Sequence, residues 1–475
     1  MDPQVSAVRR PAWAAGLGLK REAERAVQAI SRHYLVFMLP MSLLVLFLNY
    51  HAQGMQGVVP NYEDFKRIIL AGFDPKAGIY GTPTFPMWGY GWLLLLTESK
   101  TALLLLQHGL ALWAVWIFVR FLEAQPGMPQ GAVTLLKGLL VGSLPWYAFH
   151  SLRWPYSVAI SLFLVSCVLL VEAMSVEGGR PARVATSGIL FGLALNFRSD
   201  YLWMPILFGA IVVAWGGWRG RVLKHVALWL AAAYLLLVPW ALYARRATGQ
   251  YLLASTNAGH VLFIGLGNLP GNKWGIVPED GDPVMTALIQ ERFGARRSSL
   301  LYDTDRFLRG EFLRRVMEDP REYLRKVMYA FESMVRGGVY GGEFFERPEC
   351  RPMCFIKYLR MRERLLSNPT AFLAANGLAG GRVALQSFSS FMGRWVVFLA
   401  FVLLPAVAAL GWKQRNLLLL LVSGGIAYQA ALNSLAFNMA SYSANMYFFY
   451  LVSLSVGVAW LGRLLGRQPR GLAGK

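Results

Sequence analysis

Long apolar runs separated by short basic linkers dominate the chain. Runs near 34–50, 101–120, 133–150, 156–173, 184–197, 201–216, 224–243, 395–411, 415–434 and 445–462 predict about ten spans, because a helix crosses hydrocarbon in roughly 20 residues. Lipid offers the backbone no hydrogen-bond partner, so the spans must be helices or a closed barrel. Period-two alternation, the mark of a barrel, is absent. The expected fold class is all-α, a polytopic helical membrane protein. Segments 184–197 and 201–216 are short for a crossing, which predicts tilt or a partly re-entrant path.

The linkers orient this array. The basic arm (Lys20, Arg21, Arg25, Arg32), the Arg180/Arg183 and Arg219/Arg221/Lys224 linkers, Lys413/Arg415 and the tail Arg463/Arg467/Arg470 fall on one side, which the positive-inside rule makes cytoplasmic. Two long segments, 51–100 and 246–392, are left on the other side, and connections of that length usually serve a function. The chain therefore divides into a basic arm (1–33), an N-terminal membrane module (34–245), an extracytoplasmic helical region (246–394) and C-terminal spans with a basic tail (395–475). Within the first loop, GTPTFPMWGYGW reads as an interfacial aromatic helix. Within the second, YDTDRFLRGEFLRRVMEDPREYLRKVMYAF has helical period, with Asp319 as N-cap and Pro320 at a helix start.

Composition agrees with this reading. Of 475 residues 56% are hydrophobic and 15% charged, against about 25% charged in soluble proteins. The net charge of +21 follows from basic linkers. Nucleic acid is not an expected partner, since the bases are scattered between spans rather than gathered on one soluble face. Three cysteines are too few for a disulfide scaffold. Cys167 lies in an apolar run, whereas Cys350 and Cys354 are close enough to pair in an oxidising compartment. No second Cys pair or histidine accompanies them, which argues against zinc. The N-terminus carries no signal-peptide cleavage pattern.

HExxH, P-loop and GxSxG signatures are absent and the six histidines are dispersed. Candidate chemistry therefore falls to acids and bases at the outer boundary. In NYEDFKR, Glu63 and Asp64 point about 100° apart on a helix, so one of them faces a given cavity and can act as general base. Lys66 and Arg67 beside them suit an anionic group. Arg198 sits between two apolar segments near Asp200, and charge at that depth marks a functional site by default. Arg245 and Arg246 lie outward against the positive-inside trend, and phosphate suits their guanidinium fork. His150 and Arg153 complete a polar rim. Acids and cations around an outward cavity suit a sugar donor carried on a polyprenyl phosphate.

These segments resemble the GT-C superfamily of polyprenyl-phosphate-sugar glycosyltransferases, in the branch of the protein O-mannosyltransferases and the lipid A aminoarabinose transferase. Glu63–Asp64 with Lys66 is similar to the acid pair and base of the family's first outer loop. PTFPMWGYGWLLLL is similar to its Pro-x-x-Gly-Tyr run, and GILFGLALNFRSD to its Gly-rich helix ending in Thr-Arg-Pro. VPWALYARRATGQYLLASTNAGHVLFIGLGN resembles a Pro-Trp, Arg-Asn, Ser-Thr-Asn-x-Gly, Gly-Asn series, and FLRRVMEDPREYLRKV the helix that follows. The chain departs from the family at Phe85 before Pro86, where some members carry lysine. It departs again at Arg153-Trp154-Pro155-Tyr156, where a second acid is expected, and at Ser441-Tyr442 in place of Arg-Tyr.

The resemblance implies an integral membrane enzyme, in a prokaryotic inner membrane with its active site outside the cytoplasm. It would transfer one sugar, with inversion, to a glycan, glycolipid or protein acceptor. Asp64 or Glu63 would be the base, and Lys66, Arg67, Arg198, Arg245 and Arg246 would hold the donor phosphate. Tyr90, His150, Arg153, Tyr156, Asn257, His260 and Lys273 would line the cavity. No cofactor is expected, although lone interfacial carboxylates leave a hard divalent cation open. Two other classes share some of these features. A flippase would move intact polyprenyl-linked sugar, and a polymerase or ligase would use a diphosphate-linked oligosaccharide.

Overall fold

The computed structural model describes residues 12–52, 60–79, 81–85, 87–97, 99–175, 180–294, 297–337, 360–438 and 444–466, and among them there is no strand. Cys350, Cys354, Pro86, Ser441, Tyr442, Arg467 and Arg470 lie outside the described residues. Helix α1 (Ala12–Ala52) leads into α2 (Pro60–Leu70) and α3 (Gly89–Leu96). Then come α4 (Lys100–Glu123), α5 (Gln130–Val141), α6 (Leu144–His150), α7 (Tyr156–Ser175) and α8 (Pro181–Phe197). After α9 (Met204–Gly216), α10 (Gly220–Leu235) and α11 (Val238–Thr248), the second long segment folds into α12 (Ala258–Gly265), α13 (Pro283–Phe293), α14 (Tyr302–Glu318) and α15 (Pro320–Gly337). The chain finishes with α16 (Pro369–Lys413), α17 (Leu417–Leu435) and α18 (Tyr447–Gly466).

Among the described residues, seven helical stretches are long and apolar enough to cross a membrane: Gln28–Phe47, Lys100–Glu123, Tyr156–Ser175, Ser199–Gly216, Val383–Lys413, Leu417–Leu435 and Ala444–Leu465. Two bent pairs, α5 with α6 at 56° and α10 with α11 at 40°, raise the number to nine if each is one span. This is fewer than the expected ten. The segment at 184–197 falls in α8, whose 17 residues are short for a crossing. The segments at 133–150 and 224–243 are broken rather than continuous, and each break is followed at once by a proline, Pro145 or Pro239, near the head of the next helix. The aromatic run of the first loop is helical only from Gly89.

Helix α7 is the centre of the bundle. Phe163 meets Phe191 of α8, Tyr201, Phe208 of α9 and Phe449 of α18 at centroid distances of 5.2–5.9 Å. Around it, Leu105, Trp113 and Trp116 of α4 and Phe398 and Val402 of α16 are exposed apolar side chains. Such a girdle is costly in water and natural in hydrocarbon. Small residues set the closest approach. Gly188 and Gly192 face α10, where an added Cβ would lie 2.5 Å from the Trp229 carbonyl oxygen and 2.4 Å from that of Ala233. Spacing of four places both glycines on one face, the small-xxx-small pattern by which membrane helices meet. Gly192→Leu is expected to force the pair apart at a cost of about 1–3 kcal/mol, read as a lowered melting temperature of the purified protein.

At one end of the bundle, the last turn of α9 and the α16–α17 linker are tied by reciprocal bonds, Trp215 Nε1 to the Arg415 carbonyl (2.7 Å) and Arg415 Nη2 to the Trp215 carbonyl (2.8 Å). The opposite end carries α2, α3 and the second long segment. There α12–α15 enclose their own apolar core of Phe263, Ile264, Ile276, Met285, Leu308 and Phe312, joined by Phe437. Asp319 caps α15 as expected, its Oδ1 accepting the Glu322 N–H at 3.0 Å.

Lys326 anchors that segment. Its Nζ donates to the carbonyls of Ser434, Leu435 and Ala436 at 2.9, 3.1 and 2.6 Å, closing the C-terminus of α17. Burial pushes the amine down to about 7. The three carbonyls and the negative end of the helix oppose this and favour the ammonium. Lys326→Met is expected to strip this donor from the Ser434 and Ala436 carbonyls, while Leu435 keeps the Tyr323 hydroxyl at 2.9 Å, and to destabilise the docking of α15 on α17 by about 2–4 kcal/mol. Proteolysis within 249–337 should accelerate in step.

Candidate functional site

The rotation of α2 decides which acid faces where. Tyr62, Phe65, Ile68 and Ile69 form its buried stripe, with Phe65 against Trp240 (5.9 Å) and Tyr243 (5.4 Å) of α11. Asp64 falls on the inner side, 3% exposed, and its Oδ1 accepts the Ile79 N–H at 2.6 Å. Gly78 packs so closely that an added Cβ would stand 2.7 Å from Asp64 Oδ2. Asp64 thus ties the loop after α2 to the helix. Glu63, one position back, is half-exposed and lies 3.5 Å from Arg153 Nη2. Lys66 is half-buried and Arg67 exposed on the same helix.

Arg153 sits in the turn between α6 and α7 and is largely covered. That turn is fixed from α4: Gln107 Nε2 donates to the carbonyls of His150 (3.3 Å) and Leu152 (2.6 Å), and Gln107 Oε1 accepts from Tyr90 Oη at 3.0 Å. Tyr90 meets Tyr62 edge-on at 5.2 Å. Burial raises the Tyr90 hydroxyl well above its ordinary range, with Arg153 acting in the opposite sense. Lys100, at the head of α4, is within electrostatic reach of Arg153. Glu63, Tyr62, Tyr90, Lys100 and Arg153 therefore share one wall. His150 lies behind it, its Nδ1 2.5 Å from Ser157 Oγ and its ring against Trp146; only its carbonyl supports the wall.

Arg198 ends α8 in extended conformation. Its Nε and Nη2 meet the two Asp200 oxygens at 3.0 and 3.1 Å, and its guanidinium lies 3.6 Å from the centre of the Tyr156 ring. Asp200 is held in turn by Asn445 Nδ2 (2.9 Å) and, through its carbonyl, by Tyr428 Oη (2.6 Å). Tyr62 is within electrostatic reach of Arg198, which joins this cluster to the wall. The arginine fork is thus already turned onto an internal carboxylate.

The second long segment closes on the same end. Thr84 Oγ1 bonds Thr256 Oγ1 at 2.9 Å, Ser199 Oγ bonds Ser255 Oγ at 3.0 Å, and Ser255 Oγ donates to Asn257 Oδ1 at 2.8 Å. Arg245 and Arg246 are exposed at the end of α11. Arg245 stacks on Tyr251 and donates to its hydroxyl, and Arg246 and Asp64 both act electrostatically on Tyr243. His260 and Lys273 instead pair within the second long segment, His260 buried and Lys273 exposed. His260 Nε2 meets Asp280 at 3.0 Å, and Lys273 Nζ meets Asp319 at 2.6 Å, a bond that raises the lysine and lowers the aspartate.

Sequence reasoning missed Tyr62, Lys100, Gln107, Tyr428 and Asn445. Gln107 and Asn445 carried a signal, as polar side chains within apolar spans, and Lys100 carried another, as a base on the side expected to be poor in bases. Among the described residues, no three His, Cys, Asp or Glu side chains converge as metal ligands. No family model matches the chain, and no curated protein or solved structure is significantly similar to it.

Proposed function

We propose that this membrane protein is a glycosyltransferase that moves one sugar from a polyprenyl phosphate to an acceptor, with Glu63 as general base. The observation that carries this reading is a half-exposed Glu63 beside Arg153, on a wall shared with Lys100 at the loop-bearing end of an apolar bundle. The acceptor hydroxyl or amine loses its proton to Glu63, and its oxygen or nitrogen attacks the anomeric carbon. The bond from that carbon to the phosphate oxygen breaks on the opposite face, so configuration inverts. The bonding pair leaves with the lipid phosphate, which Arg153 and Lys100 stabilise as charge develops. Lys66, Arg67, Arg245 and Arg246 supply further positive field at this end, and Arg198 supports it from the bundle. Asp64 is the less suitable base because its carboxylate is committed to the Ile79 amide.

A reconstituted assay with polyprenyl-phosphate sugars tests the proposal. Sugar bound covalently to an acceptor, with release of polyprenyl phosphate, supports it. Intact donor moved between leaflets would make the protein a flippase. Consumption of diphosphate-linked donors alone would make it a polymerase or ligase.

A further inference from the structure

Helix α15 has three faces where a soluble helix has two. At about 100° per residue, Glu322, Lys326, Ala330 and Met334 form one strip, and all four are buried. Arg325, Glu332 and Arg336 form a second, exposed and ion-paired: Arg325 with Glu322 at 2.7 Å and Arg336 with Glu332 at 2.8 Å. Leu324, Met328 and Phe331, spaced i, i+4 and i+7, form a third strip that is apolar yet open, with Leu324 61% and Met328 62% exposed. Arg321 is exposed beside it. A helix in water has no reason to segregate its uncovered surface into one apolar and one charged band.

The apolar band is continuous with a surface already facing hydrocarbon. The Phe331 ring meets Phe401 of α16 at 5.8 Å, inside the span Val383–Lys413. The neighbouring Phe398 and Val402 of that span are themselves exposed. The buried band is fixed by Lys326 on the end of α17, so α15 is held level with the end of a span. We infer that α15 lies in the bilayer interface, with Leu324, Met328 and Phe331 among the upper acyl carbons and Arg321, Arg325 and Arg336 at the lipid headgroups. A helix with such faces sits about 5–10 Å into the headgroup–acyl boundary, and its arginines reach outward along apolar stems. The occupant of the strip is lipid, and the segment 249–337 is thereby seated on the membrane as well as on the bundle. This inference does not depend on the proposed chemistry.

Spin labels test it in the full chain, with Cys167, Cys350 and Cys354 replaced by Ser and the protein in phospholipid vesicles. Single cysteines are introduced at Leu324, Met328 and Phe331, and for comparison at Arg325, Glu332 and Arg336. Relaxation by oxygen should exceed relaxation by a water-soluble nickel chelate at the first three positions, with the order reversed at the other three. Equal access of the nickel reagent to both sets would overturn the inference. So would shielding of the first three from both reagents, the result expected if a second copy or another protein covers the strip. Quenching of a fluorophore at Met328→Cys by bromine-labelled acyl chains gives a second readout that does not depend on spin-label mobility. Its absence would overturn the inference equally.

Discussion

Glu63→Gln is expected to lower sugar transfer about 10²–10⁴-fold, the usual contribution of a positioned general base, while leaving donor binding largely in place. The amide preserves shape and half-exposure but cannot take the acceptor proton. The loss should appear in kcat rather than in KM for the donor, because the proposed mechanism assigns the lipid phosphate to cations and not to this side chain. Asp64→Asn is the necessary comparison. It weakens the charge-assisted bond to the Ile79 amide, at about 1–3 kcal/mol, so its effect should track a lowered melting temperature. Full activity in Glu63→Gln together with inactive but stably folded Asp64→Asn would reverse the assignment of the base.

The second large effect is on stability. Arg198→Met removes the guanidinium from a mostly covered ion pair and leaves the Asp200 carboxylate with the Asn445 amide as donor. Stripping one partner from a buried pair typically costs about 3–5 kcal/mol, a substantial share of a protein's net stability. Arg198→Met combined with Asp200→Asn removes both charges and should recover much of the loss, since the asparagine can still meet Asn445. Melting temperatures of the two single variants and the double variant give the coupling directly. If Arg198 instead served the donor phosphate without holding the bundle together, the single variant would melt near wild type.

How much of this was legible in the sequence depended on how local the physics is. Asp319 as cap of α15 was legible because cap and amide are three residues apart. The apolar spans were legible because lipid forces composition onto length. The breaks in two of them were foreshadowed by Pro145 and Pro239, but bend angles come from packing against neighbours. The choice between Glu63 and Asp64 was not legible. It rests on the rotation of α2, set by Phe65 against Trp240 and Tyr243, about 175 positions away in the chain. Arg198 was legible as a charge at the membrane boundary and Asp200 as its neighbour. Their clamping by Tyr428 and Asn445 was not, because those residues arrive from the last two described helical segments. His260 lies in the quoted Ser-Thr-Asn series and Lys273 just beyond it, whereas in the structure they pair with Asp280 and Asp319 of the second long segment.

The most direct measurement is a structure of the full chain in a lipid bilayer with polyprenyl phosphate added. Expected is a phosphate between Arg153 and Lys100, within hydrogen-bond distance of both, with Glu63 released from Arg153 and facing the space where a sugar would stand. A headgroup bound at the Arg415 end of the bundle, or bound elsewhere while the Glu63–Arg153 pair stays closed, would contradict the assignment of this wall as the site of transfer.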